Sequence, residues 1–272
     1  MKRLLVLICA AAVLGLTAAP VFSGGSPESE TYTIEVTGST SVAPLMEQFA
    51  DAYRDVRPEV TINISGTGSG DGITGANTGV AELGMSSRNL RSAEIGFGLD
   101  VLTVAVDAIA VVVHPDNPVS DLTVEQVRGI YTGEITSWAE LGGADSQISV
   151  VSREPGSGTR GAFEGAVGFV DELLAGAIEF DGTGGVRAAV AGNSQAIGYI
   201  SLGSMNPEVK AVSVNGVEAK AERVVDGSYA VARPFLVLYR EAQIDPETKT
   251  FLDWMVSAEG QAIVSQHYVP VQ

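Results

Sequence analysis

The sequence predicts an α/β fold of mixed and parallel sheets flanked by helices, and three observations carry that expectation. Short apolar or alternating runs are separated by stretches whose apolar residues fall at helical spacing. The run 99–113 is almost wholly apolar and rich in β-branched residues, the pattern of strand buried on both faces. Glycine, at 32 of 272 residues, recurs where strand gives way to helix.

Taken in order, residues 32–37 alternate as a strand that ends at Gly38. Val42, Leu45, Met46, Phe49, Tyr53 and Val56 then lie on one face of a helix. Ser39, Thr40 or Ser41 can cap that helix, and Pro44 is tolerated in its first turn. Strands are expected at 61–65 and 80–86, the first followed by the glycine-rich run 66–72. After the buried stretch 99–113 come a helix at 122–131, a strand at 147–152 and a helix from 158 to 167. Strands at 196–201 and 234–239 and a single helix near 248–259 complete the series. No repeat or low-complexity linker interrupts it, so two domains would have to be joined by strands crossing between them.

Composition narrows the function. Apolar residues make up 45% and charged residues 18%, enough for a packed core. With 33 acids against 16 bases and a net charge of −17, a nucleic-acid partner is disfavoured, because phosphate backbones are held by Lys and Arg. One Cys and two His cannot build the usual zinc site, and no metal or cofactor is expected. At the start, Lys2 and Arg3 precede an apolar run 4–16 and then Val21-Phe22-Ser23, the layout of a cleaved export signal over 1–23. The run is too short for a comfortable membrane span, and Cys9 lies inside it rather than at its end, so lipidation is not expected. Residues 24–30 read as a short polar lead-in. Removing the leader would remove the only cysteine, so stability cannot rest on disulfides.

Three turns share one design: Gly38-Ser39-Thr40-Ser41, Gly68-Ser69-Gly70 and Gly156-Ser157-Gly158-Thr159. Each follows a strand, sets glycine beside a hydroxyl and opens a helix. A helix start presents unpaired N–H groups and about half a positive charge, which suits an anion. Any one such turn is usually only a cap, but three could surround one tetrahedral oxyanion. Arg153 stands four residues before Ser157 and could add a charge-assisted contact. The run Gly70-Asp71-Gly72-Ile73-Thr74-Gly75 matches a dinucleotide motif literally, a weak signal in so glycine-rich a chain.

With those turns in place, the chain resembles the phosphate-binding proteins of bacterial phosphate ABC uptake systems. The likeness runs through Thr37-Gly38-Ser39-Thr40-Ser41-Val42-Ala43-Pro44, Leu83-Gly84-Met85-Ser86-Ser87-Arg88 and Asp107-Ala108-Ile109-Ala110-Val111. It continues in Ile130-Tyr131-Thr132-Gly133-Glu134-Ile135-Thr136-Ser137-Trp138, in Ser152-Arg153 and Gly156-Ser157-Gly158-Thr159-Arg160, and in Ala196-Ile197-Gly198-Tyr199-Ile200-Ser201. It closes with Tyr229-Ala230-Val231-Ala232-Arg233-Pro234 and Ser257-Ala258-Glu259-Gly260-Gln261.

The resemblance implies a two-lobed periplasmic-binding-protein fold of type II with the ligand in the inter-lobe cleft. One lobe would comprise 31–108 plus 230–272 and the other 109–229. It implies a periplasmic, monomeric, non-enzymatic protein that binds inorganic phosphate as hydrogen phosphate, closes on it and presents it to an inner-membrane ABC permease. By position, the anion-binding set falls on Thr40, Ser41, Ser69, Ser87, Arg153, Ser157, Gly158 and Thr159, with Ser39 and Gly70 beside them. One departure matters: well-known members carry an Asp where this chain has Ser87. That carboxylate accepts the proton of hydrogen phosphate and repels sulfate, which has none to give. Asp107 is the first candidate to replace it and Asp71 the second, while Arg88 could add positive charge. The bland alternatives are a crossover hydrogen bond for Asp107, a cap for Asp71 and a surface ion pair for Arg88.

Rival readings are open at this stage. The missing Asp is the best argument for sulfate, molybdate or tungstate as ligand. An exported serine hydrolase built on Ser157 would need His114 or His267 as its base, and no Gly-x-Ser-x-Gly elbow surrounds Ser157. On a sensory or adhesive role the sequence is silent. Trp138 and Trp254 are expected to pack the interior rather than stack on a sugar.

Overall fold

Strand and helix alternate from the first element of the computed structural model, which describes residues 31–271. The expected leader and polar lead-in, 1–30, lie outside the described residues. Strand β1 (Tyr32–Gly38) buries Ile34 and Val36 from alternate positions and leads into α1 (Ala43–Val56), which buries Leu45, Met46, Phe49 and Tyr53 along one stripe. β2 (Val60–Gly66), α2 (Ser69–Thr78), β3 (Leu83–Ser86) and the short α3 (Ser92–Ile95) follow. Then comes β4 (Asp100–Val113), one continuous strand buried without a break from Asp107 onward. Beyond it lie β5 (Asp121–Leu122), α4 (Val124–Thr132), β6 (Ser149–Arg153), α5 (Gly158–Val167), β7 (Ile178–Phe180) and α6 (Gly182–Ala191). The chain ends through β8 (Ala196–Ser201), β9 (Lys210–Val214), α7 (Ala221–Val225), β10 (Ala232–Tyr239), α8 (Pro246–Met255) and α9 (Ala258–Val264). The one helix expected over 248–259 is therefore two. Ser257 breaks it: its Oγ accepts the Gly260 N–H at 3.3 Å and starts a new helix.

The ten strands of the described residues join one mixed sheet in the order β2-β1-β3-β10-β4-β8-β6-β7, with β9 on β4 and β5 on β9. β1 is parallel to β2 and β3, and β6 is parallel to β7 and β8. The middle is antiparallel because β4 and β10 carry the chain in opposite directions between two hydrophobic cores. The first core gathers Ile34, Phe49, Tyr53, Phe235 and Phe251; the second gathers Ile109–Val113, Tyr131, Phe163 and Tyr199. Asp100–Ala108 of β4 faces β10 beside the first core, and Ile109–Val113 faces β8 beside the second. Both tryptophans pack: Trp138 donates its indole N–H to the Gln195 carbonyl at 2.9 Å, and Trp254 lies against Tyr53 and Phe251. In each set of parallel strands the carboxyl ends share one edge. The turns after β1, β2 and β3 meet there, as do those after β6 and β7, the position where α/β sheets collect ligands.

Candidate functional site

At the first turn Ser39 does the local work. Its Oγ accepts the N–H groups of Ser41 and Val42 at 3.2 and 3.3 Å, so the Thr40 and Ser41 hydroxyls are free to reach outward. Both reach elements of the second core. Ser41 Oγ lies 2.9 Å from Thr159 Oγ1 and 3.0 Å from Thr183 Oγ1. Thr40 Oγ1 accepts from Arg153 Nη2 at 3.1 Å and from the Thr183 N–H at 3.3 Å.

Arg153 closes β6 and is 2% exposed, an expensive place for a charge unless every nitrogen is engaged. Its Nε and Nη2 donate to the two oxygens of Glu154, each at 2.8 Å, and Nη1 points to Thr159 and Thr183 at 3.5 and 3.4 Å. Glu154 itself is 21% exposed, so one face of the guanidinium is balanced from the edge while the other faces hydroxyls only. Arg160 holds this strand end in place by donating to the Arg153 carbonyl at 2.9 Å and pairing with Glu164 and Glu179.

The second turn packs against the third. Ser69 is fully buried; its Oγ accepts the Ser87 N–H at 3.1 Å and lies 3.4 Å from Ser87 Oγ. Gly158 sits directly against them: a Cβ there would stand 2.2 Å from Ser69 Oγ and 2.7 Å from Ser87 Oγ, so no other residue allows the approach. Gly70 donates its N–H to the Gly156 carbonyl at 3.1 Å, joining the second and third turns backbone to backbone. Thr40, Ser41, Arg153 and Thr159 thus join in one buried hydrogen-bonded cluster with Thr183, and Ser69 and Ser87 pack against Gly158, the residue next to Thr159.

The remaining expected residues have partners of their own. Ser157 is buried and caps α5, accepting the Arg160 N–H at 3.2 Å. Asp71 is exposed on α2. Arg88 forms a two-pronged pair with Glu94 at 2.7 and 2.8 Å, and the pair is largely buried rather than the surface ion pair that was the alternative. Asp107 lies where β4 crosses between the cores, accepts from Arg233 Nη2 at 3.0 Å and takes the Leu202 N–H at 3.2 Å. Burial pushes its carboxyl up to about 6, although Arg233 pulls the other way. The carboxylate bonded to Arg153 is Glu154, which was not among the expected residues. Nor was Thr183, although Gly182-Thr183-Gly184 repeats the glycine-beside-hydroxyl design at the start of α6. A cavity of about 860 Å³ is lined by Arg88, Arg91, Arg160 and Arg233 among others, and by none of the hydroxyls of the cluster. Neither histidine is bonded to Ser157 among the described residues; His114 Nδ1 accepts the Asp116 N–H and His267 is exposed. No group of His, Cys, Asp and Glu that could hold a metal is present among the described residues.

A buried cation ringed by hydroxyls at converging helix starts suits a bound anion, and comparison with known proteins gives the family. The model of the PBP superfamily domain matches residues 24–259. The phosphate-binding protein PstS of Bacillus subtilis is 30% identical, over 92% of this chain and 84% of its own length. A solved Clostridium perfringens structure with bound phosphate, assigned as a phosphate ABC transporter substrate-binding protein, is 47% identical. It has a TM-score of 0.87 and covers 88% of this chain and 100% of its own. An ABC-type phosphate transport receptor from Vibrio cholerae is 36% identical, with a TM-score of 0.73 and coverage of 88% and 99%. The chain belongs to the PBP superfamily and, within it, to the PstS family of substrate-binding proteins, a non-enzymatic family.

Proposed function

We propose that this protein binds inorganic phosphate between its two cores and delivers it to an ABC permease without chemical change. The observation that carries the reading is Arg153, buried with its Nη1 turned toward Thr159 and Thr183 and its Nη2 toward Thr40. Those hydroxyls come from both cores, so an anion held there would tie the cores together. The names of the relatives and the phosphate in the Clostridium structure support the same ligand.

Residues 31–108 with 230–272 form one lobe and 109–229 the other, hinged where β4 and the start of β10 cross. The open form admits the anion and the closed form buries it and marks the loaded protein for the permease. The ligand set comprises Thr40, Ser41, Ser69, Ser87, Arg153, Ser157, Gly158 and Thr159. The protein acts as a monomer in the periplasm after removal of residues 1–23. Net charge is no obstacle, since at physiological salt the screening length is about 8 Å and local dipoles decide. A micromolar complex needs about −8 kcal/mol, and hydrogen bonds to a charged group contribute roughly 1.5–3 kcal/mol each before closure costs. Calorimetry on anion-stripped protein tests the reading. Phosphate should bind at least about tenfold tighter than sulfate; tighter sulfate binding would overturn it.

A further inference from the structure

We propose that Thr183 is a fourth anion-gripping position of this cleft, holding phosphate with its hydroxyl and its N–H from the start of α6. The inference rests on the phosphate reading above and adds a residue that neither the three turns nor the family likeness supplies.

Thr183 is 4% exposed, and its hydroxyl is not spent on its own helix. The residue ahead of α6, Asp181, makes no side-chain cap, and Thr183 Oγ1 turns away from the helix altogether. It lies 3.0 Å from Ser41 Oγ, 3.4 Å from Thr40 Oγ1 and 3.4 Å from Arg153 Nη1. Its N–H, one of those a helix start leaves unpaired, points the same way, 3.3 Å from Thr40 Oγ1. The Ser157 hydroxyl accepts a backbone N–H of the helix it starts, that of Arg160, whereas the contacts of Thr183 Oγ1 are all with other elements. The residue before it makes the approach possible. Gly182 has φ +73°, a left-handed conformation that favours glycine.

The chemistry follows from position. Arg153 Nη1 reaches Thr159 and Thr183 at nearly equal distances, so an anion oxygen drawn to that nitrogen meets both hydroxyls. A hydroxyl both donates and accepts, so Thr183 can serve an unprotonated oxygen or take the proton of hydrogen phosphate. Because Thr40 and Ser41 come from the first core and Thr183 from the second, its grip forms only as the cleft closes.

The test is calorimetry with phosphate on stripped wild type, T183V and T183S, with melting curves of each without ligand. T183V keeps the shape and loses the hydroxyl; it should bind phosphate at least about tenfold more weakly, whereas T183S stays within about threefold. Should valine prevent folding, T183A against T183S gives the same contrast. Equal affinity of the hydroxyl-free and wild-type proteins overturns the proposal. In a T40V background, T183V should still weaken binding several-fold; no further loss would mean that Thr183 acts only through Thr40, which also overturns it. Wild type that takes up no phosphate refutes the phosphate reading itself, a result distinct from either.

Discussion

Of the three buried arginines among the described residues, Arg153 and Arg233 lie deepest, and their partners set them apart. Arg233 meets a carboxylate as buried as itself, that of Asp107, and its guanidinium lies 5.4 Å from the Phe235 ring centroid. Arg153 meets Glu154, which is partly in solvent, and turns the rest of its guanidinium to hydroxyls. A buried cation paired with a buried anion is already balanced in charge, even with Arg233 Nη1 left without a hydrogen-bond partner among the described residues. One balanced only from its edge keeps its inner face for an incoming anion. The first is a fastening where β4 and β10 cross; the second is the anion position proposed above.

The largest expected effect falls on the second arginine type. Arg153→Ala should weaken phosphate binding by at least about thirtyfold, the scale on which removing one partner of a buried charged contact acts. The fold should survive, because Glu154 left alone can still reach water. Unchanged affinity in calorimetry would erase the contrast between the two arginines.

Next comes the Asp107–Arg233 pair. Replacing both with apolar residues, Asp107→Leu with Arg233→Met, should leave stability at neutral pH equal or raise it by about 1–4 kcal/mol, since burying both charges costs more than their attraction returns. The pH dependence has a definite sign. The folded carboxyl is raised from 3.8 to about 6, so its contribution favours folding below the unfolded value and is lost as pH rises through 6. Wild type should therefore gain on the double variant as pH falls from 6 toward 4. A gap in melting temperature that widens on acidification would contradict this.

Gly158→Ala is expected to be milder. Its methyl would meet Ser69 Oγ and Ser87 Oγ on the facing turn, so binding should weaken by about tenfold through incomplete closure, an overpacking cost of about 1–3 kcal/mol. Melting without phosphate should change little; a large loss there would place the contact in folding rather than in closure.

Much of this was legible in the chain itself. Thr40, Ser41, Arg153 and Thr159 stand beside strands and helices whose periodicity is strong, so their turns could be located. The Gly182-Thr183-Gly184 turn has the same composition, but the strand before it, Ile178–Phe180, is three residues long and largely exposed, leaving no alternation to read. β9 and α7 escaped for a similar reason, being five residues each. Asp107 could be placed on a crossing strand, but what faces it could not. Arg233 is 126 residues further along, and only the sheet order brings the two together.

The smallest expected effect concerns the same aspartate and separates the two arginines most sharply. Hydrogen phosphate differs from sulfate by a proton, and a carboxylate in the hollow would tell them apart by accepting it. Asp107 was the first candidate for that part. Both of its oxygens are engaged at the crossing, Oδ1 by the Leu202 N–H and Oδ2 by Arg233. Asp107→Asn should then leave the ratio of phosphate to sulfate affinity within about twofold of wild type, a change under about 0.5 kcal/mol. A ratio that collapses toward one would show that the two buried arginines serve a single site, and that the fastening at the crossing also reads the ligand's proton.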